Sequence, residues 1–373
     1  MLFYWCVFIL IFFIAVSKDK HRFASVAAIL LFLGATRAIS VGSDLRGGYS
    51  LEYGSIQLDP STWGHYMSQF EIGFSWMMVL FKTYVFSSPI YFFQLLFFAT
   101  FLFLAIFIRK HSKYPALTLF FMYSLSYYFS LYNIMRQEWC FALICFFCIS
   151  VYLDSETKNV EKSSRFLKFI LPTIGIVVFA YLFHKSQIVL LLVLPLYLLK
   201  DRKCFETKYL IVCMIFTILF SMTFAQKIFS GMNSIAYLFA DDNSHAAGYM
   251  TYSENIGMYS TVANIVNTFF AIYVTLAYRG RKSFFLVLFI LGVCLQNVLT
   301  PISWIFARIA NTFLFFKIFV MADLWYEIPN KKERLIYRIV VLLYSIAMFN
   351  NRLINDRFQD VVPYVNHYLK AIL

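Results

Sequence analysis

The sequence predicts an all-α polytopic membrane protein with about twelve transmembrane helices. Three observations predict it. The chain is 61% hydrophobic and 14% charged, with a mean hydropathy of +0.71. Apolar stretches of about 14 to 21 residues recur from end to end, close to the length a helix needs to cross a bilayer. The basic residues are gathered into short segments that alternate with segments poor in them. A β-barrel is excluded, because its strands would alternate apolar and polar residues with period two.

The first apolar run begins at Leu2 with no basic region before it, and Lys18, Lys20 and Arg22 follow it. That order is opposite to a cleavable signal peptide and predicts an uncleaved first helix with an external N-terminus. Six short basic segments, 17–22, 109–113, 154–168, 200–208, 279–282 and 323–338, hold 21 of the 32 Lys and Arg against nine acids. They are assigned to the cytoplasm. Loops 40–68 and 226–258 each carry one base and three acids, and are placed outside. The polar joints at 133–138, 184–187 and 296–301 alternate with the basic loops and fall outside as well. Residues 69–108 hold two apolar segments, 69–86 and 89–108. Two crossings there would put Arg109, Lys110 and Lys113 outside, whereas one keeps them inside. Segment 69–86 is therefore expected to form an interfacial helix after the first external loop. The expected organisation is a single integral membrane domain over 1–373.

The net charge of +13 and pI of about 9.3 follow from the basic loops and do not require a nucleic-acid partner. The 45 Phe and 26 Tyr are expected to face lipid and its interfaces. Cys145 and Cys148 form a CxxC inside an apolar helix with no histidine nearby, a packing pattern rather than a metal or redox site. No internal repeat, Gly-rich phosphate loop or zinc spacing is present.

Between Pro115 and Leu153 the only charges are Arg136 and Glu138. A guanidinium does not shed its proton to escape a low dielectric, so the position of Arg136 either costs several kcal/mol or requires an anionic partner. Topology gives it neighbours at a common outer depth. Arg37 closes the second helix, and Asp44, Arg46 and Tyr49 follow. Asn133 shares a helix face with Arg136 and Gln137 at spacings of three and four. His184 and Lys185 mark one outer joint, Gln296 and Asn297 another. Arg308 and Asn311 lie about two turns into the next helix. Arg37, Arg46 and Lys185 also suit plain interfacial anchors. Asp241, Asp242 and His245 read best as a solvated turn. Arginines match phosphate oxygens, and Asp44 or His184 can accept a proton from an alcohol. Such a pocket suits displacement of a diphosphate from a sugar's anomeric carbon.

Four ordered segments resemble the EpsG-like branch of the Wzy-type O-antigen polymerases: RAISVGSDLRGGY at 37–49, NIMRQEWCFAL at 133–143, FHKSQIVLL at 183–191 and ARIANTFLF at 307–315. A terminal VVPY at 361–364 fits too. The resemblance implies a bacterial inner-membrane glycosyltransferase, GT-C-like in fold, that joins undecaprenyl-diphosphate-linked oligosaccharide repeats on the periplasmic face. It implies no cofactor, no metal and a chain-length regulator as partner beside membrane lipid. Carried onto this chain, Asp44 or His184 takes the acceptor proton and Glu71 is a further carboxylate candidate. Arg136, Gln137 and Arg308 hold the diphosphate, with Asn133, Tyr49, Arg37 and Asn311 lining the substrate. The rivals are an O-antigen ligase, a flippase of the lipid-linked repeat and a membrane acyltransferase. Gly/Pro-broken helices and internal symmetry, which a flippase would show, are not evident.

Overall fold

The computed structural model describes residues 1–57, 59–63, 70–154, 162–199, 205–222, 257–279, 283–300, 304–354 and 360–369. Among them the regular structure is helical, and one isolated bridge joins Arg37 to Asn366. Two compact units are present, 1–191 with 321–373, and 192–320. Loop 226–258, with Asp241, Asp242 and His245, lies almost wholly outside the described residues.

The first unit begins with α1 (Leu2–Val16) and α2 (Arg22–Ala35). A π-helical stretch, Leu45–Tyr49, runs into α3 (Ser50–Ser55), and α4 (Ile72–Tyr84) follows. Then come α5 (Pro89–His111), α6 (Pro115–Ser124), α7 (Tyr127–Asn133), α8 (Met135–Asp154) and α9 (Lys162–Phe183). A 3-10 segment, Lys185–Leu192, leads out of this unit. The second unit holds α10 (Val193–Leu199), α11 (Thr207–Phe220), α12 (Gly257–Ala277), α13 (Phe284–Leu299) and α14 (Trp304–Leu314). Through α15 (Lys317–Glu327) the chain returns to the first unit and ends it with α16 (Lys331–Ile354).

Pro89–His111, Met135–Asp154 and Arg308–Glu327 are long and apolar enough to cross a membrane, and shorter apolar helices accompany them. Large side chains such as Leu2, Phe13, Phe32 and Phe216 stay exposed along these helices, as lipid contact requires. The chain is a membrane-embedded helical protein. Pro89 and Pro115 stand at the starts of α5 and α6, where a missing N–H costs nothing. Ser126, at φ 69°, separates α6 from α7.

A second break, at Ile134 with φ −78° and ψ 50°, separates α7 from α8. It corrects the shared helix face expected for Asn133, Arg136 and Gln137. With the ladder interrupted, spacings of three and four no longer align the side chains, and Asn133 and Arg136 serve different neighbours.

Helix α4 has 13 residues, about 20 Å, against the ~30 Å of a bilayer core. It buries Phe74, Met78 and Val79 in a cluster with Leu45, Tyr49, Tyr53, Phe92, Phe93 and Met135. The segment after the second helix is thus packed between α4 and the start of α5. Gly73 allows α4 its approach, since a Cβ there would stand 2.8 Å from the Leu182 carbonyl oxygen.

Residues 360–369 form a strap over the end of α2. The Ala38 N–H donates to the Val365 carbonyl, the His367 N–H to Thr36 and the Gly42 N–H to Asp360, at 2.8 to 2.9 Å. Tyr364 donates from its hydroxyl to the Leu33 carbonyl at 2.9 Å. Around it, buried tyrosines satisfy their hydroxyls on carbonyls: Tyr4 on Val361, Tyr123 on Tyr4 and Tyr128 on Leu30.

In the second unit, polar side chains tie three apolar helices together. Asn267 donates to Gln296 at 3.3 Å, Thr268 to Asn297 at 3.1 Å, and Asn297 to Thr217 at 3.2 Å. Such bonds replace a hydrophobic drive that lipid largely removes. Gly292 sets the spacing of α13 and α14, because a Cβ there would lie 2.6 Å from the Leu314 backbone nitrogen. Gly292→Ala is expected to cost about 1–3 kcal/mol through this backbone clash, read as a lower thermal midpoint of the purified protein.

Candidate active site

The centre of the site is Glu71, at the start of α4. Its backbone is extended (φ −61°, ψ 142°), so the side chain leaves the helix end instead of lying along it. One carboxylate oxygen, Oε2, receives the Arg136 Nη1 donor in an ion pair. The other, Oε1, lies 3.3 Å from His184 Nδ1 and accepts the Lys185 backbone N–H at 3.3 Å. Glu71 thus bridges two segments that the sequence singled out independently. The side chains of Glu71, Arg136 and His184 are 12%, 22% and 23% exposed, enough to be reached from one side.

Aromatic rings fix the Arg136 plane. The guanidinium carbon lies 4.5 Å from the Phe70 ring centre, 5.7 Å from that of Tyr49 and 6.0 Å from that of Phe74. Nε also donates to the Tyr49 hydroxyl at 3.2 Å. These rings come from the packed segment, from α4 and from Phe70 just before it, so the site depends on the cluster beneath it.

Burial opposes ionisation of Glu71, but the contact with His184 and the Arg136 charge outweigh it. The carboxyl is held at about 2, below its ordinary 4.5. Glu71 is an anion at neutral pH, suited to orient its neighbours and not to donate a proton.

A second polar group forms around Arg37. This residue is 1% exposed. Its Nη1 donates to the Val41 carbonyl at 2.7 Å, and its guanidinium lies 4.5 Å from the Tyr132 ring centre. The Arg37 carbonyl accepts from Gln94 at 3.1 Å, and Gln94 accepts from the Tyr368 hydroxyl at 2.8 Å. Burial lowers the Arg37 pKa to about 10, still fully charged at neutral pH. The geometry is that of an internal clamp holding the 37–44 arm, unlike an anchor at the membrane surface.

Asp44 stands at the end of that arm. Asn133 Oδ1 accepts the Ser43 hydroxyl at 3.3 Å and the Asp44 N–H at 3.4 Å. The Asp44 carboxylate accepts from Ser43 at 3.5 Å. Asn133 is buried, and its Nδ2 has no partner among the described residues. Gly42, at φ 113°, makes the turn possible and lets the arm approach the Tyr132 carbonyl, 2.8 Å from where a Cβ would sit. Arg46 points away to pair with Asp360 of the strap at 2.7 Å.

Tyr49, Glu71, Arg136 and His184 come together, and Asn133, Asp44 and Arg37 form the adjoining network on the same unit. Gln137 is buried one residue beyond Arg136. Arg308 and Asn311 lie on α14 in the second unit. Phe70, Gln94 and Tyr368 went unremarked in the sequence; aromatic residues beside a span-buried arginine are the signal that points to Phe70. Among the described residues no group of three His, Cys, Asp or Glu side chains is arranged to hold a metal.

The model of the EpsG family matches residues 21–366. No curated protein and no solved structure matches the chain.

The Glu71 shift fixes an acid limb of stability. Because the folded carboxyl ionises at about 2 and the unfolded one near 4.5, the ionised form stabilises the fold above pH 4.5. That contribution, at most about 3 kcal/mol, drains away as pH falls from 4.5 toward 2. In Glu71→Gln the drop in thermal midpoint over this range should be visibly shallower, on a lower plateau at pH 7 because Arg136 loses its counter-ion.

Proposed function

The chain belongs to the EpsG family, and from that premise we propose that it polymerises polyprenyl-diphosphate-linked oligosaccharide repeats at the external face of a bacterial inner membrane. Membership in this family is compatible with polysaccharide polymerisation. The observation that carries the finer reading is Glu71 held between Arg136 and His184.

In this proposal a hydroxyl of one lipid-linked repeat attacks the anomeric carbon of the growing chain. The new C–O bond forms as the bond to the diphosphate oxygen breaks, and the electron pair leaves with the polyprenyl diphosphate. His184 takes the hydroxyl proton. Glu71 lies against Nδ1, which leaves Nε2 as the proton-accepting nitrogen and stabilises the imidazolium that results. This favours His184 over Asp44 as base, since Asp44 sits in the arm network. Arg136 faces the departing diphosphate, with its plane fixed by Tyr49 and Phe70. Proton transfer to His184 adds a positive charge beside the Arg136–Glu71 pair just as negative charge develops on the leaving group.

Asn133, Gln137 and the Arg37 clamp would shape the substrate wall. Helix α4 would lie at the outer interface in a GT-C-like arrangement of about twelve spans. Undecaprenol is the expected carrier and a chain-length regulator the expected partner protein.

Purified protein supplied with a lipid-linked repeat should produce a ladder of longer chains, with and without chelator. A ligase would transfer single repeats to a lipid A-core acceptor, and a flippase would form no bond. Arg136→Ala and His184→Gln should each slow ladder growth about 10²–10⁴-fold at normal abundance. Wild-type ladders from either variant would remove the role assigned to it.

A further inference from the structure

At the opposite, basic end of the first unit lies a cavity of about 460 Å³ lined by Lys20, His21, Arg22, Arg109, Pro115 and Ala116. It is built from two segments far apart in sequence, the α1–α2 turn and the α5–α6 turn. Both were assigned to the cytoplasmic side from their charge alone. Phe23 joins them, with the Arg109 guanidinium carbon 5.7 Å from its ring centre.

The charges around this cavity are sorted. Lys110 pairs with Asp154, and Lys113 with Glu327 at 2.7 Å. Arg109, on the same turn as both, lines the cavity instead. Among the described residues, no carboxylate pairs with Lys20, His21, Arg22 or Arg109. The nearest acid in sequence, Asp19, accepts the His21 backbone N–H at 2.9 Å and lines a separate apolar groove along α1. Arg22 is steadied by its Nη1 donating to the Ser17 carbonyl at 2.8 Å, which neutralises nothing. Lys20 and Arg109 are exposed and Arg22 is half-buried, so water screens much of the repulsion among these three cations, and an anion shared among them would relieve the rest.

We propose that this cavity binds the phosphodiester headgroup of an anionic glycerophospholipid from the leaflet that faces the basic loops. Position selects the lipid over a free anion. The cavity opens where four apolar helices, α1, α2, α5 and α6, begin or end, the depth at which bilayer phosphates lie. Arg109 and Arg22 supply planar donors matched to phosphate oxygens, and Lys20 a mobile third charge.

The test uses the full chain in neutral detergent, titrated with short-chain phosphatidylglycerol, short-chain phosphatidylcholine or inorganic phosphate, with the thermal midpoint as readout. Phosphatidylglycerol is expected to raise the midpoint by several degrees, and the other two to leave it unchanged at equal concentration. The double variant Lys20→Gln/Arg109→Gln should shift the phosphatidylglycerol titration to about 30-fold higher concentration. Lys332→Gln, which removes a charge from another basic loop, should keep the response. Because each titration is referred to the variant's own lipid-free midpoint, a less stable double variant still gives an answer. An equal rise with phosphatidylcholine or with inorganic phosphate would overturn the proposal. So would an unchanged titration in the double variant, or an equal loss in Lys332→Gln.

Discussion

The ion pair between Glu71 and Arg136 is the constraint around which the first unit is arranged. An arginine one residue inside a membrane-length helix is tolerable only beside an anion, and a carboxylate at 12% exposure only beside a cation. Each therefore requires the other, although 65 residues separate them. To bring Glu71 to Arg136, α4 must lie across the packed segment 45–56, which explains the aromatic cluster beneath the site. To turn Arg136 toward Glu71, the helix must break at Ile134. The pair also selects the partner of His184: the second carboxylate oxygen is left facing the imidazole and the Lys185 N–H.

Two arginines of the same region meet opposite fates. Arg136 is partly exposed and paired with an acid, its plane held by rings, so its charge can be presented to a ligand. Arg37 is enclosed, and spends its donors on the Val41 carbonyl and the Met135 sulfur. The difference arises from the strap. Residues 360–369 close over the arm that carries Arg37, and bury it, whereas nothing of the strap reaches Arg136 among the described contacts. Position at one depth is thus a poor guide to role, and the local backbone decides which cation is available.

Much of this was legible in the sequence. Composition fixed the membrane class, and the isolation of Arg136 in an apolar run marked it as a residue requiring an anion. His184 stood out as a histidine at an outer joint. The rest was hidden for identifiable reasons. That the anion is Glu71 depends on how α4 lies, and hydropathy says nothing about the direction of a short helix. The break at Ile134 has neither proline nor glycine to announce it, so the spacing argument for Asn133 assumed a continuity that is absent. The division of the chain into two units leaves no mark in a sequence that is apolar throughout. VVPY was noticed as a pattern, but its contacts with residues more than 300 positions earlier carry no local signal.

Those contacts have a temporal consequence. A ribosome delivering about 5–20 residues per second makes the arm at 36–42 roughly 15–60 s before the strap that holds it. During that interval the helices of α1 and α2 can enter the bilayer, yet Ala38, Gly42 and the Thr36 carbonyl lack the partners that fix them. The arm that leads to Asp44 is secured last, by the final segment described. A nascent chain stalled before this point would expose Arg37 and the apolar face of Tyr4, a state that quality-control proteases can distinguish from the completed molecule.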